Sequence, residues 1–147
     1  MNTDRALLHI DDDPQITRMV AARLRKHGYQ TNSLNDPTEV LKELMCNQWR
    51  VVLLDIDMPE VNGLDLLREI KAYDGGIQVI MLTGLVQLHT LLQSFRWGAE
   101  ACLFKPLDNM DLLVAALDDT FRKVDRWWHA LEELSQRGRT ECAAITV

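Results

Sequence analysis

Apolar positions along the chain fall into two kinds of segment. Short, nearly continuous apolar runs at Ala6–Ile10, Val51–Leu54, Val79–Leu82 and Ala101–Phe104 read as strands, with a weaker run at Gln30–Leu34. Between them lie longer amphipathic stretches, roughly Pro14–His27, Pro37–Cys46, Leu64–Tyr73, Gln87–Trp97 and Met110 onward, which read as helices. Strands alternating with helices of roughly 10–15 residues predict successive βαβ units around a parallel sheet. Right-handed crossovers then cover both faces with helices. The expected class is α/β, doubly wound.

Local punctuation agrees with this pattern. Asp13-Pro14 and Asp36-Pro37 each set a carboxylate at an N-cap and proline at the first helical position. Gly28 follows Lys26-His27, as expected just beyond a helix C-terminus, and Gly75-Gly76 separates the third helix from the fourth strand. The last segment departs from the pattern. Its helical spacing runs through Leu113, Leu117, Phe121, Val124, Trp128 and Leu131 to about Gln136, with Gly138 as the expected stop. That makes about 27 residues or ~40 Å of helix, roughly twice what is needed to cover a five-stranded sheet. The last residues, "RGRTECAAITV", read as a frayed end. The division expected is one domain over residues 1–123 and a helical extension with its tail over 124–147. Trp127-Trp128, with Leu131 and Leu134, either packs back on the domain or offers an apolar stripe to a partner or a second copy.

Composition narrows the class. A chain of 147 residues has room for one domain that buries about two thirds of its unfolded surface. With 22 acids against 16 Lys plus Arg the net charge is −6, which argues against direct nucleic-acid binding through a basic face. Cys46, Cys102 and Cys142 are odd in number and widely spaced, so neither a disulfide framework nor a thiolate metal site is expected. That usage fits a reducing cytoplasm. The opening "MNTDRALLHI" lacks the apolar core of a signal peptide, and no apolar run approaches the ~20 residues that would span a bilayer. A cytoplasmic protein without a membrane partner is expected.

In an open parallel sheet, ligands sit at the carboxyl ends of the strands. Asp11-Asp12-Asp13 follows the first strand, Asp55 the third, Thr83-Gly84 the fourth and Lys105-Pro106 the fifth. Acids, a hydroxyl and an ammonium would thus converge on one edge, a set suited to a hard divalent cation and a phosphoryl group. Asp13, followed by proline, reads as the N-cap, which frees Asp11 and Asp12 for a metal. Each member alone is compatible with turn chemistry, and Lys105-Pro106 alone would mean an extended or cis turn. Their joint occurrence at four strand ends is much harder to obtain that way. The stretch "LLDIDMPEVNG" adds a second acid, Asp57, which taken alone fits a phosphatase's nucleophile and acid as well as a phosphate acceptor.

Through "LLHIDDDP", "VVLLDIDMPEVNGLDLL", "VIMLTG" and "GAEACLFKPL", the chain from Leu7 to about Lys123 resembles the receiver domains of two-component response regulators. The resemblance implies a flavodoxin-like fold with strand order 2-1-3-4-5. It makes Asp55 the phosphoryl acceptor and Asp11 and Asp12 the acid pair that organises Mg²⁺, with Asp57 adding its backbone carbonyl. Thr83 and Lys105 would contact the phosphoryl oxygens, and a cis bond is expected before Pro106. The implied partner is a sensor histidine kinase or phosphotransfer protein, which donates from a phosphohistidine. The implied output is a two-state surface of the fourth helix, fifth strand and fifth helix, and the chain would be no enzyme beyond its own phosphorylation and dephosphorylation. Asp57 and Leu85 occupy positions that tune phosphoryl lifetime in that family.

The chain departs from the family at Cys102, the switch position, where an aromatic is usual. Cys102 reads as a small buried hydrophobe, and Phe104 on the same strand face lies closer to the strand end. Signal is then expected to leave through the fourth helix near Phe95 and Trp97, or through the long C-terminal helix. Two rivals to the acceptor reading remain. A phosphatase of the haloacid-dehalogenase type would use Asp55 and Asp57, but it would want Thr or Val where Pro59 stands and its acid pair late in the chain. A partner-binding pseudo-receiver would have lost an acid or the lysine, and all are present. His9, His27, His89 and His129 lie in unrelated contexts, with no metal or phosphohistidine role expected.

Overall fold

The computed structural model describes residues 5–85 and 87–145, with side chains as far as residue 139. In chain order the elements are β1 (Ala6–Ile10), α1 (Pro14–Arg25), β2 (Gln30–Leu34), a short 3-10 turn (Pro37–Glu39) leading into α2 (Val40–Cys46), and β3 (Val51–Asp55). They continue with α3 (Gly63–Tyr73), β4 (Gln78–Thr83), α4 (Leu88–Arg96), β5 (Ala101–Phe104) and α5 (Asp111–Ile145). All strand pairings are parallel and the order is β2-β1-β3-β4-β5, as the resemblance implies.

The central strands read as continuous apolar runs because both of their faces are covered. Successive side chains alternate between two cores. On one face Leu53, Ile80 and Leu82 pack with Val20 and Leu24 of α1 and Leu113, Leu117 and Phe121 of α5. On the other, Val52, Leu54, Val79 and Met81 pack with Leu44 of α2 and Leu66, Leu67 and Ile70 of α3. β2, at the sheet edge, is only partly covered, which accounts for its weak apolar pattern.

Most predicted caps are present. The Asp13 carboxylate accepts from the Gln15 N–H at 2.9 Å, and that of Asp36 from the Thr38 N–H at 3.0 Å. The second of these opens the 3-10 turn, so α2 itself starts three residues later than expected. The expectation for the C-terminus is corrected. Gly138 does not stop α5, which is helical to Ile145. A glycine ends a helix by taking a left-handed conformation, as Gly28 (φ 85°) and Gly98 (φ 90°) do here. Gly138 does not, and its ~1 kcal/mol helix penalty is too small to break the segment. Glu133–Arg137 and Ser135–Arg139 contacts one turn apart bracket it instead. The expected frayed end is therefore helical through Ile145, while Thr146, Val147 and the Cys142 side chain lie outside the described residues.

Trp128 lies against Arg50, whose guanidinium is 5.6 Å from a Trp128 ring centroid, beside an open groove of about 430 Å³. Trp127, Trp128, Leu131 and Leu134 all remain exposed, and Trp127 and Leu131 line the same groove. No helix among the described residues is long and apolar enough to cross a membrane.

Candidate phosphoryl-acceptor site

The carboxyl ends of β1, β3, β4 and β5 bring together the residues that the sequence singles out. Asp11 is buried behind β1, where its Oδ1 accepts from the Asp13 N–H at 3.0 Å. Asp55 closes β3 and is 1% exposed. One carboxylate oxygen each of Asp11, Asp12 and Asp55 lies within 4.8 Å of the others, a set of hard donors that fits a divalent cation. Lys105 reaches in from the end of β5, with Nζ 3.1 Å from Asp11 Oδ2 and 3.2 Å from Asp55 Oδ1. The Lys105-Pro106 peptide bond is cis, as expected.

Burial and neighbouring charge set the electrostatics. Burial, then the Asp11 charge, pushes the Asp55 carboxyl above its ordinary value, while Lys105 works against both. Burial and Asp11 raise Asp12 in the same sense. For Lys105 burial acts to lower the ammonium, but the Asp55 and Asp11 carboxylates outweigh it and hold the group above its usual value. The cluster is therefore overloaded with negative charge that a single ammonium only partly offsets. A cation relieves such a site.

Thr83 is fully buried at the end of β4, on the same edge, but its hydroxyl is turned toward Asp57 rather than Asp55. It donates to Asp57 Oδ2 at 3.1 Å, and the Gly84 N–H donates to the same oxygen at 2.8 Å. The Asp57 N–H donates to Asp55 Oδ1 at 3.1 Å. The Asp57 carboxylate thus has partners that sequence reasoning, which valued mainly its carbonyl, did not anticipate.

A further residue at this edge was not read from sequence. Asn35 follows β2 and donates to the Asp11 carbonyl at 2.8 Å and to Thr17 Oγ1 at 3.1 Å, bracing the β1 end. Extending the survey of strand ends to β2 would have found it. Gly63, expected to shape the loop into the third helix, begins α3 against the loop after β3, where a Cβ would lie 2.4 Å from the Asp55 carbonyl oxygen. Only glycine fits there. Next to it Asn62 caps α3 by accepting from the Leu64 N–H at 2.8 Å.

Cys102 lies half-buried on β5 against the α2/α3-side core, and burial pushes its thiol up. Phe104, on the same strand face, is partly exposed. Phe95 of α4 is 78% exposed, whereas Trp97 packs against the core under the Arg68 guanidinium at 4.8 Å. Leu88 and Leu112 are exposed as well, giving α4 and the start of α5 an apolar outer surface. None of the four histidines lies in the acid cluster.

The family described as response regulator receiver domain matches residues 7–117. Over 107 residues the chain is 32% identical to the transcriptional regulatory protein CpxR homolog of Haemophilus influenzae, covering 73% of this chain and 46% of that protein. Regulatory protein AtoC of Escherichia coli is 29% identical over 116 residues, 78% of this chain and 25% of its own length. The chain thus spans between a quarter and a half of these relatives. Among solved structures, a response regulator receiver domain protein from Clostridium thermocellum superposes with a TM-score of 0.75 at 31% identity, covering 83% of this chain and 98% of that one. The response regulator TrrA of Thermotoga maritima, solved with Mg²⁺ and BeF, gives 0.71 at 28% identity over 79% and 98%.

Proposed function

This chain belongs to the response regulator receiver family, and we propose that it takes a phosphoryl group onto Asp55 from the phosphohistidine of a sensor kinase or phosphotransfer protein. The observation that carries this reading is Lys105 bridging Asp11 and Asp55 inside a cluster of three carboxylates. An Asp55 oxygen forms the new P–O bond, the P–N bond to the donor imidazole breaks, and that imidazole keeps the electron pair and takes up a proton. Asp11, Asp12 and Asp55, with the Asp57 carbonyl, would hold Mg²⁺, which when bound offsets the acid cluster and the charge on the transferring group. Lys105 turns toward the phosphoryl oxygens, and Thr83 follows it. Asp13 serves only as the α1 cap.

Incubating the chain with a small-molecule phosphodonor and Mg²⁺ tests the reading by mass. Native protein should gain one phosphoryl group and Asp55→Asn none, and equal labelling of the two would overturn it. A separate turnover assay tests the phosphatase rival: a generic phosphate ester should not be hydrolysed catalytically.

For output, the apolar surface of Leu88, Phe95 and Leu112 supports a protein contact made by α4 and α5. With Cys102 in place of an aromatic, we propose that signal leaves through α4 near Phe95 and Trp97, or along α5. Phosphorylation should then move the amide resonances of those segments. The Trp127-Trp128 region beyond residue 123 is proposed as a contact for an effector or a second copy.

A further inference from the structure

We propose that the Asp57 carboxylate is an internal stand-in for the phosphoryl group, holding the Thr83 hydroxyl and the Gly84 N–H until phosphorylation displaces it. This deepens the acceptor reading of Asp55 and rests on it. Two donors from the end of β4 converge on one oxygen, Asp57 Oδ2, at 3.1 and 2.8 Å. A hydroxyl carries one proton, so Thr83 cannot serve Asp57 and a phosphoryl oxygen at the same time. When not donated to Asp57, that proton has the Leu85 carbonyl at 3.4 Å as its nearest alternative.

The backbone makes the displacement inexpensive. The Asp57 N–H is tied to Asp55 Oδ1, so the main chain stays with the acceptor while the side chain is free to turn. Asp57 is exposed, and its carboxylate regains water on leaving, unlike that of the buried Asp55. A carboxylate and a phosphoryl group are both anions and repel at this range. Arrival of one at Asp55 therefore favours release of the other, and Thr83 and Gly84 change partners in the same event. In the resting state Asp57 keeps the donors aligned but raises the barrier to any anion that needs them. It acts as a positioning residue.

The test uses beryllofluoride, an anionic phosphoryl mimic, titrated at saturating Mg²⁺ into the native chain, Asp57→Asn and Asp57→Ala. Binding is followed by amide resonances, and the Gly84 amide is also compared in the metal-free proteins. Charge removal alone would improve both variants equally. A stand-in that holds donors predicts an order, with Asp57→Ala about tenfold tighter than native and Asp57→Asn, which keeps an acceptor oxygen, in between. The metal-free Gly84 amide should shift upfield in Asp57→Ala as its charge-assisted bond is lost. Native binding with no gain in Asp57→Ala, equal gains in both variants, or an unmoved Gly84 amide each overturn the stand-in while leaving the acceptor reading intact. Failure of native and variant chains alike to bind beryllofluoride overturns the acceptor reading itself.

Discussion

His9 lies one residue from the carboxyl end of β1 with no exposed surface, and neither of its ring nitrogens has a hydrogen-bond partner among the described residues. Burial, helped by Lys105 and opposed by Asp11, holds its imidazole down to about 4. It is therefore neutral in the fold at neutral pH, and it carries a desolvation cost that a leucine would not. Replacing it, His9→Leu, is expected to leave stability equal or higher at pH 7. Between about pH 6.5 and 4 the unfolded chain binds a proton that the folded chain refuses, so the native protein loses stability as pH falls through that window. At pH 5 the variant should gain about 2 kcal/mol relative to native, compared with their difference at pH 7, as read from urea midpoints at the two pH values. Cys102 gives a second prediction at this scale. Its half-buried, raised thiol should alkylate at least about tenfold more slowly than exposed Cys46 in a Cys142→Ser background, measured by peptide mass after iodoacetamide. The single residues of the site were legible because strand ends are places where polar groups must converge. The partners of the Asp57 carboxylate were not, because a side chain's choice of donor depends on a loop three-dimensionally adjacent but 26 positions away.

At the scale of elements, the junction between β3 and α3 is the most tightly specified. Gly63 donates to the Ile56 carbonyl at 3.2 Å, and a Cβ on it would meet the Ile56 Cα at 2.5 Å. Both obstacles are backbone and cannot rotate away. Gly63→Ala should therefore cost about 2–3 kcal/mol in chemical unfolding and slow labelling of Asp55, because the loop that must yield carries the acceptor. Asn62→Ala, which removes only the α3 cap, should cost about 1 kcal/mol and spare the labelling rate. The limits of β1 and β5 were readable to the residue, since apolar runs there end abruptly in polar or turn residues. Gly138 was misread for a physical reason. Composition marks a glycine, but only its dihedral decides whether it ends a helix. Gly98, directly after the expected helix end at Trp97, does adopt the left-handed form, so there the boundary and the dihedral agree.

For the molecule as a whole, the two cores account for the stability of the sheet and its covering helices, and Val124 is the last buried residue of α5 among the described side chains. A chain ending after Trp128 keeps that core and the stack on Arg50. It should unfold within about 1 kcal/mol of the full chain and label Asp55 at the same rate, while losing any association made through Leu131 and Leu134. Sedimentation and mass labelling of the two chains check this together. The unbroken course of α5 has one more consequence. Its first turns are wedged into the core by Leu113, Leu117 and Phe121, while its far end stands clear of it. The roughly twenty residues from Val124 to Ile145 span about 30 Å, so a tilt on the order of 10° at the base swings the tip by about 5 Å. The helix would act as a lever with its fulcrum in the core, carrying a shift of about 2 Å across its first turns into about 5 Å at its tip.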